Sequence, residues 1–187
     1  EFLEAFIIGY DVAARIGLAC NLNLNMHPHG TWGGVGAAAA LARLLKLDGN
    51  DTKELLNIAS SLTLATSRKT MLEGGTVRNT YAGISNQMAL MSLKLLTAGF
   101  CGETDGIKSV FGSVVANDLD ENKARENIGA RFEINRNYFK LYSKFCVSGL
   151  CLINLAPFLI WKCVAIGVSG DNVTSCFILL SDLVCSN

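Results

Sequence analysis

The only imidazoles of the chain, His27 and His29, stand two residues apart in Met26-His27-Pro28-His29-Gly30-Thr31-Trp32-Gly33-Gly34-Val35-Gly36. An imidazole titrates near pH ~6.5, so this is where the chain can move a proton at neutral pH. Pro28 pushes the residue before it out of helical backbone, which places His27 in an extended or turn conformation with its ring presented from a loop. Gly30, Gly33, Gly34 and Gly36 let backbone come close to something, and Ala37-Ala38-Ala39-Ala40 then opens a helix. The first amides of that helix have no partner within it, so its N-terminus favours an anion. One reading is proton transfer beside a bound anion. The other is packing, in which small residues bring two helices together while the histidines cap a loop. Residue types alone leave both standing.

A second stretch with chemical content is Thr66 to Thr80, where helical periodicity stops. It carries Arg68, Lys69 and Arg78 with the adjacent pair Gly74-Gly75. It reads as a polar loop rich in cationic donors, or as a solvated linker. No metal site is expected.

These stretches need elements to position them. Glu1 to Cys20 is apolar nearly all round, with Asp11 and Arg15 spaced as a helical ion pair, and predicts a helix buried on most sides. Asn21 to Asn25 alternates Asn and Leu and reads as the loop leading to His27, with a short strand as the alternative. A second helix spans about Gly34 to Leu47 and stops at Lys46-Leu47-Asp48-Gly49. Asp51-Thr52-Lys53-Glu54 has the pattern of a capping box, followed by Leu55, Ile58, Ala59 and Leu62 at helical spacing. Tyr81-Ala82-Gly83 opens a further helix, with Ile84, Met88, Met91 and Leu95 on one face and Gly99 as its stop; its methionines read as core filler. Asp105 to Val115 reads as a short helix or the start of a strand. Asn117 to Asn127 is charged and exposed, and the alternation in Arg131 to Lys140 suggests a strand.

The totals narrow the class. At 187 residues the chain can bury a real core, and a net charge of zero with no basic block argues against a nucleic-acid partner. No signal peptide is recognisable, and Glu1 reads as the middle of a helix. Seven cysteines without a Cys-x-x-Cys pair argue against a disulfide framework, so a cytoplasmic location is expected. The apolar run Val147 to Trp161 is shorter than the ~20 residues of a spanning helix, and no membrane partner is expected.

Taken in order, several segments resemble the MmgE/PrpD family, which includes 2-methylcitrate dehydratase, cis-aconitate decarboxylase and iminodisuccinate epimerase. Gly9-Tyr10-Asp11-Val12-Ala13-Ala14-Arg15-Ile16-Gly17 is similar to its GYEVAxRIG helix, and Met26 to Gly33 with the alanine helix is similar to its FHPTGTxG loop. Thr76-Val77-Arg78-Asn79-Thr80-Tyr81-Ala82-Gly83, Ala98-Gly99-Phe100-Cys101-Gly102 and Asn137-Tyr138-Phe139-Lys140 follow in the family's order. The resemblance implies a mainly α fold: an all-helical domain, here incomplete, with the smaller α/β lid domain largely absent. It divides the chain into a partial helical domain over 1–116, a linker and start of the lid over 117–144, and an atypical Cys- and Leu-rich tail over 145–187, read as a reading-frame change.

The resemblance also implies a cofactor-independent lyase or isomerase acting next to a carboxylate of a small di- or tricarboxylate, in a homodimer. His27 matches the family's active-site histidine. Arg78 falls where relatives carry a lysine or arginine facing the substrate, and its planar fork suits a carboxylate clamp. Lys140 matches a later lysine and is a second clamp. His29, Thr31, Thr76 and Tyr81 are candidate substrate donors. An upstream histidine–aspartate segment of the family has no counterpart in this sequence. The alternative is therefore a non-catalytic remnant that keeps the helical scaffold and dimer surface without turnover.

Overall fold

Glycine and alanine decide where the helices of this chain meet. A computed structural model describes residues 1–137, which fall into two compact units: Glu1–Arg68 together with Tyr81–Asn137, and a second to which Lys69–Thr80 belongs. In the first unit, helix α1 (Phe2–Ala19) packs along helix α2 (Gly33–Leu45). The contact point is glycine on glycine. A Cβ added to Gly36 would lie 2.6 Å from both the Ala13 Cβ and the Gly9 carbonyl oxygen, and one added to Gly9 would lie 2.6 Å from the Gly36 oxygen. No side chain larger than hydrogen fits there without parting the helices.

Helix α2 also rests on helices α3 (Gly49–Ser61) and α5 (Tyr81–Thr97). The core among them holds Val35, Ala38, Ala42, Leu55, Ala59 and Ala89, closed by Phe111 and Val115. The latter two flank or lie within a π-helical turn, Val110–Val114, that follows the short helix α6 (Gly106–Ser109). Two antiparallel ribbons complete the unit. Strand β1 (Cys20–Leu22) pairs with β4 (Ala116–Leu119), and β2 (Met26–His27) pairs with β3 (Thr66–Ser67). Helix α7 (Glu121–Arg125) and a 3₁₀ turn, Glu133–Arg136, end the described chain. The second unit contributes most of helix α4 (Arg68–Leu72) and the 3₁₀ turn Thr76–Thr80. They are joined through Gly74 (φ 74°) and a Gly75 amide donating to the Thr70 carbonyl at 2.8 Å.

The mainly α expectation holds, and several local ones are corrected. Helix α1 is not buried on most sides: Phe2, Leu3 and Phe6 are exposed, because α2 covers only the stripe through Ala5, Gly9 and Ile16. Cys20 to Leu22 is a strand rather than a loop. Asp48, not Asp51, caps α3. Lys46 adopts a left-handed conformation (φ 56°) that stops α2, so Asp48 is the next residue able to cap, and its carboxylate accepts the Asp51 amide at 2.9 Å. Glu54 therefore does not close a capping box; it accepts the Gly102 amide.

Thr66 to Thr80 is not a plain loop but strand, helix and 3₁₀ turn. On α5 the buried face is Tyr81, Ser85, Ala89 and Ser92, while Met91 stands exposed. The serines tolerate burial because each hydroxyl donates to a carbonyl of its own helix, Ser85 to Ala82 at 2.9 Å and Ser92 to Met88 at 2.8 Å. Of the stretch from Arg131 to Lys140, Glu133–Arg136 forms a 3₁₀ turn rather than a strand, and residues 138–140 lie outside the described residues. Among the described residues no helix is long and apolar enough to cross a membrane; the apolar run Val147 to Trp161 lies outside them.

Candidate functional site

The extended backbone that Pro28 imposes on His27 is used as a strand. His27 stands opposite Thr66 in the β2–β3 ribbon and is buried, at 4% exposure. Its carbonyl accepts two hydroxyls, from Thr31 at 3.3 Å and Thr66 at 3.4 Å. Its ring Nδ1 accepts the backbone N–H of His29 at 3.2 Å. An acceptor at Nδ1 assigns the ring proton to Nε2. The His29 ring meets it edge to face, with centroids 4.1 Å apart.

The loop then turns through Gly30 at φ 79°, a left-handed conformation that suits glycine, with the Thr31 amide donating to the Pro28 carbonyl at 3.2 Å. A Cβ on Gly30 would lie 2.7 Å from the Tyr81 carbonyl oxygen. The missing side chain is what brings the histidine loop against the start of α5, where Tyr81 is buried.

The other glycines of the stretch serve packing. Gly33 and Gly34 lie against Ser85 of α5, and Gly36 lies against Gly9 and Ala13 of α1. Trp32 stands before α2 with its indole edge over Gly17, where a Cβ would lie 2.8 Å from the ring. Close helix packing thus accounts for Gly33, Gly34 and Gly36, as the packing reading of these small residues has it.

His27, Thr31 and Tyr81 are buried and His29 is exposed, all four in the first unit. Thr31 spends its hydroxyl proton on the His27 carbonyl, which makes it a brace of the loop. Thr76 is exposed and Arg78 half-buried, both in the 3₁₀ turn of the second unit, where the Arg78 amide donates to the Gly75 carbonyl at 3.4 Å. Lys140 lies outside the described residues. Sequence reasoning missed Thr66, the second brace on His27, and Ser85, the floor beneath Gly33 and Gly34. Thr66 carries no local signal, since its role comes from pairing with a residue 39 positions away.

Two open grooves lie elsewhere in the first unit. One of about 580 Å³ runs between the start of α1 and the pair Phe132 and Ile134. One of about 320 Å³ lies beside Lys53, Asn57 and Asp105. Neither is lined by the histidines. The thiol of Cys20 is held away from water, donating to the Phe111 carbonyl at 3.4 Å, and burial pushes it up to about 11.

A helical domain whose central helices meet through glycine, with a buried histidine on a small ribbon beside them, defines the class of protein at hand. The family can be named. The chain belongs to the MmgE/PrpD family: the profile of the MmgE/PrpD N-terminal domain matches residues 1–119, from α1 to the last residue of β4. No individual curated protein matches it.

Proposed function

We propose that this chain is part of a cofactor-independent lyase or isomerase that acts next to a carboxylate of a small di- or tricarboxylate. The observation that carries the reading is that the family match takes in the whole His27 ribbon, its glycine loop and Tyr81. In this proposal His27 is the proton carrier. Because Nδ1 accepts the His29 amide, the ring carries its proton at Nε2 and can hydrogen-bond a substrate oxygen there. Delivering a proton to a leaving hydroxyl or a developing carbanion takes the imidazolium, protonated at Nδ1 as well, and so costs the His29 contact. Acting as a base from Nε2 would need the other tautomer and would cost the His29 contact. Arg78 and Lys140 keep the carboxylate-clamp roles that the resemblance implies, and His29, Thr76 and Tyr81 those of substrate donors. The protein works as a homodimer in the cytoplasm.

A second reading is favoured by one observation: His27 is 4% exposed, with its carbonyl and Nδ1 both engaged inside the loop. On that reading the histidine is structural and the domain a scaffold without turnover.

The test is to incubate the full-length polypeptide with a panel of di- and tricarboxylates in deuterated water and follow them by NMR. The enzyme reading expects elimination, decarboxylation or solvent exchange at a carbon next to a carboxylate of at least one acid. It also expects His27→Gln to slow that reaction by about 10²–10⁴-fold while the fold is retained. No reaction with any acid would favour the scaffold reading instead, and a reaction left unaffected by His27→Gln would remove His27 from the chemistry.

A further inference from the structure

From Asp120 to Asn137 the first unit buries almost nothing: Glu133 alone of these residues is buried, and Ile128 is 63% exposed. Apolar burial therefore does little to hold this stretch against α1. What holds it is polar and, apart from the exposed Lys108–Glu121 ion pair at 2.6 Å and the Asp120 amide on the Ala19 carbonyl at 3.1 Å, converges on one place. Arg15, itself 5% exposed, donates from Nε to the Asp11 carboxylate at 2.6 Å. Its remaining nitrogens donate to carbonyls of Ala124 at 3.3 Å, Glu126 at 2.7 Å, and Arg131. The second Asp11 oxygen accepts the Glu133 amide at 2.7 Å. The Glu133 carboxylate in turn takes Arg131 at 3.0 Å and Arg136 at 3.1 Å. The other backbone bonds of the stretch are mostly internal, such as Ile128 to Arg125 and Arg131 to Asn127. The groove of about 580 Å³ shows that Phe132 and Ile134 do not close onto α1.

We infer that Asp120–Asn137 is a strap, hinged at the end of β4 and fastened to α1 by a single latch of Asp11, Arg15 and Glu133. The strap opens and closes as one unit while the helical core stays folded. A guanidinium with every nitrogen engaged is a cooperative fastener: releasing the Glu133 side uncovers a buried pair that water must then solvate, so intermediate positions are disfavoured. Glu133 is the catch. Arg15 and Asp11 sit on α1 whether the strap is open or closed, so the receiving half of the latch is permanent.

The test is native-state hydrogen exchange on the full chain, read by mass spectrometry of peptides covering Asp120–Asn137 and of peptides from α2 and α3. In the wild type, the strap amides should exchange together and faster than those of α2 and α3. Arg15→Gln should speed exchange in the strap by at least about tenfold, the loss of one charge-assisted bond or more, and leave α2 and α3 unchanged. Asp11→Asn should act in the same direction. Equal exchange of strap and core in the wild type would overturn the inference, and that measurement stands even if a variant fails to fold. A variant that speeds exchange everywhere alike would also overturn it, since the network would then be an ordinary part of the core.

Discussion

Replacing Gly36 with alanine puts the helix crossing to a quantitative test. A methyl at that position would sit 2.6 Å from the Ala13 Cβ and 2.6 Å from the Gly9 oxygen, where ordinary contact begins at 3.4 Å. Neither neighbour is the end of a flexible side chain, so α1 and α2 must part by nearly the whole difference. Overpacking of this kind costs about 1–3 kcal/mol, and a backbone-to-backbone clash belongs at the upper end. Alanine recovers roughly 0.5–1 kcal/mol through its better helix propensity. The net expectation is a loss of about 2 kcal/mol, which for a chain of this size lowers the thermal midpoint by about 4–8 °C. Urea unfolding followed by circular dichroism measures it, with the midpoint moving and the slope unchanged. Gly83→Ala is the control. Gly83 lies in α5 with nothing within 4 Å of a would-be Cβ, so it should gain roughly 0.5–1 kcal/mol. If Gly36→Ala gains stability as Gly83→Ala does, the close crossing is wrong.

Lys46→Gly should stabilise the chain by about 1 kcal/mol, because it removes the cost of a side chain at φ 56° while giving up only an exposed ion pair with Glu1; a urea midpoint decides it. Asp48→Ala should cost about 1 kcal/mol through loss of the α3 cap, and Asp51→Ala distinctly less; the reverse order would restore Asp51 as the cap. In native protein at pH 8 a limiting thiol reagent should label Cys101, which is exposed, before Cys20; peptide mapping that finds Cys20 first refutes its burial. The Cys20 thiol goes from an ordinary 9.0 unfolded to about 11 folded, so the folded state holds its proton more tightly. Its contribution to stability is full below pH 9 and disappears as the pH rises towards 11, which alkaline unfolding curves of wild type and Cys20→Ala would separate.

The elements legible in the sequence are those whose cause is local. Helices α1, α2 and α5 follow from runs of helix-forming residues, the Asp11–Arg15 pair from its spacing, and the end of α5 from Gly99 at φ 82°. The strand at Cys20–Leu22 was legible only as the alternative to a loop. The pairing of both ribbons was not legible, because their strands are two to four residues long and their partners distant, with Cys20 opposite Leu119. So short a strand has no period to read, and its register exists only once the helices are packed. The α3 cap was misplaced because Asp48 and Asp51 both fit a helix start, and the backbone of Lys46 decides between them. The buried face of α5 was misplaced because hydropathy ranks methionine over serine, whereas the approach of α2 demands small residues. At the site, the histidine loop stands out by residue type and the extended backbone of His27 by Pro28. The brace from Thr66 and the packing duty of Gly33, Gly34 and Gly36 are products of tertiary geometry, and nothing in the local sequence announces them.

The latch on α1 also has a consequence for the newly made chain. Asp11 accepts the amide of a residue 122 positions later, and Arg15 donates to carbonyls 109 to 116 positions later. At ribosomal speeds of about 5–20 residues per second, those partners emerge roughly 6–24 s after the first helix does. Through that interval α1 displays a charged pair with its outer contacts unmade, while helix α2, complete by Leu45, can already pack on the glycine stripe. The glycine crossing thus forms early from near neighbours in sequence, and the strap can be fastened only later, once residues more than a hundred positions on have been made.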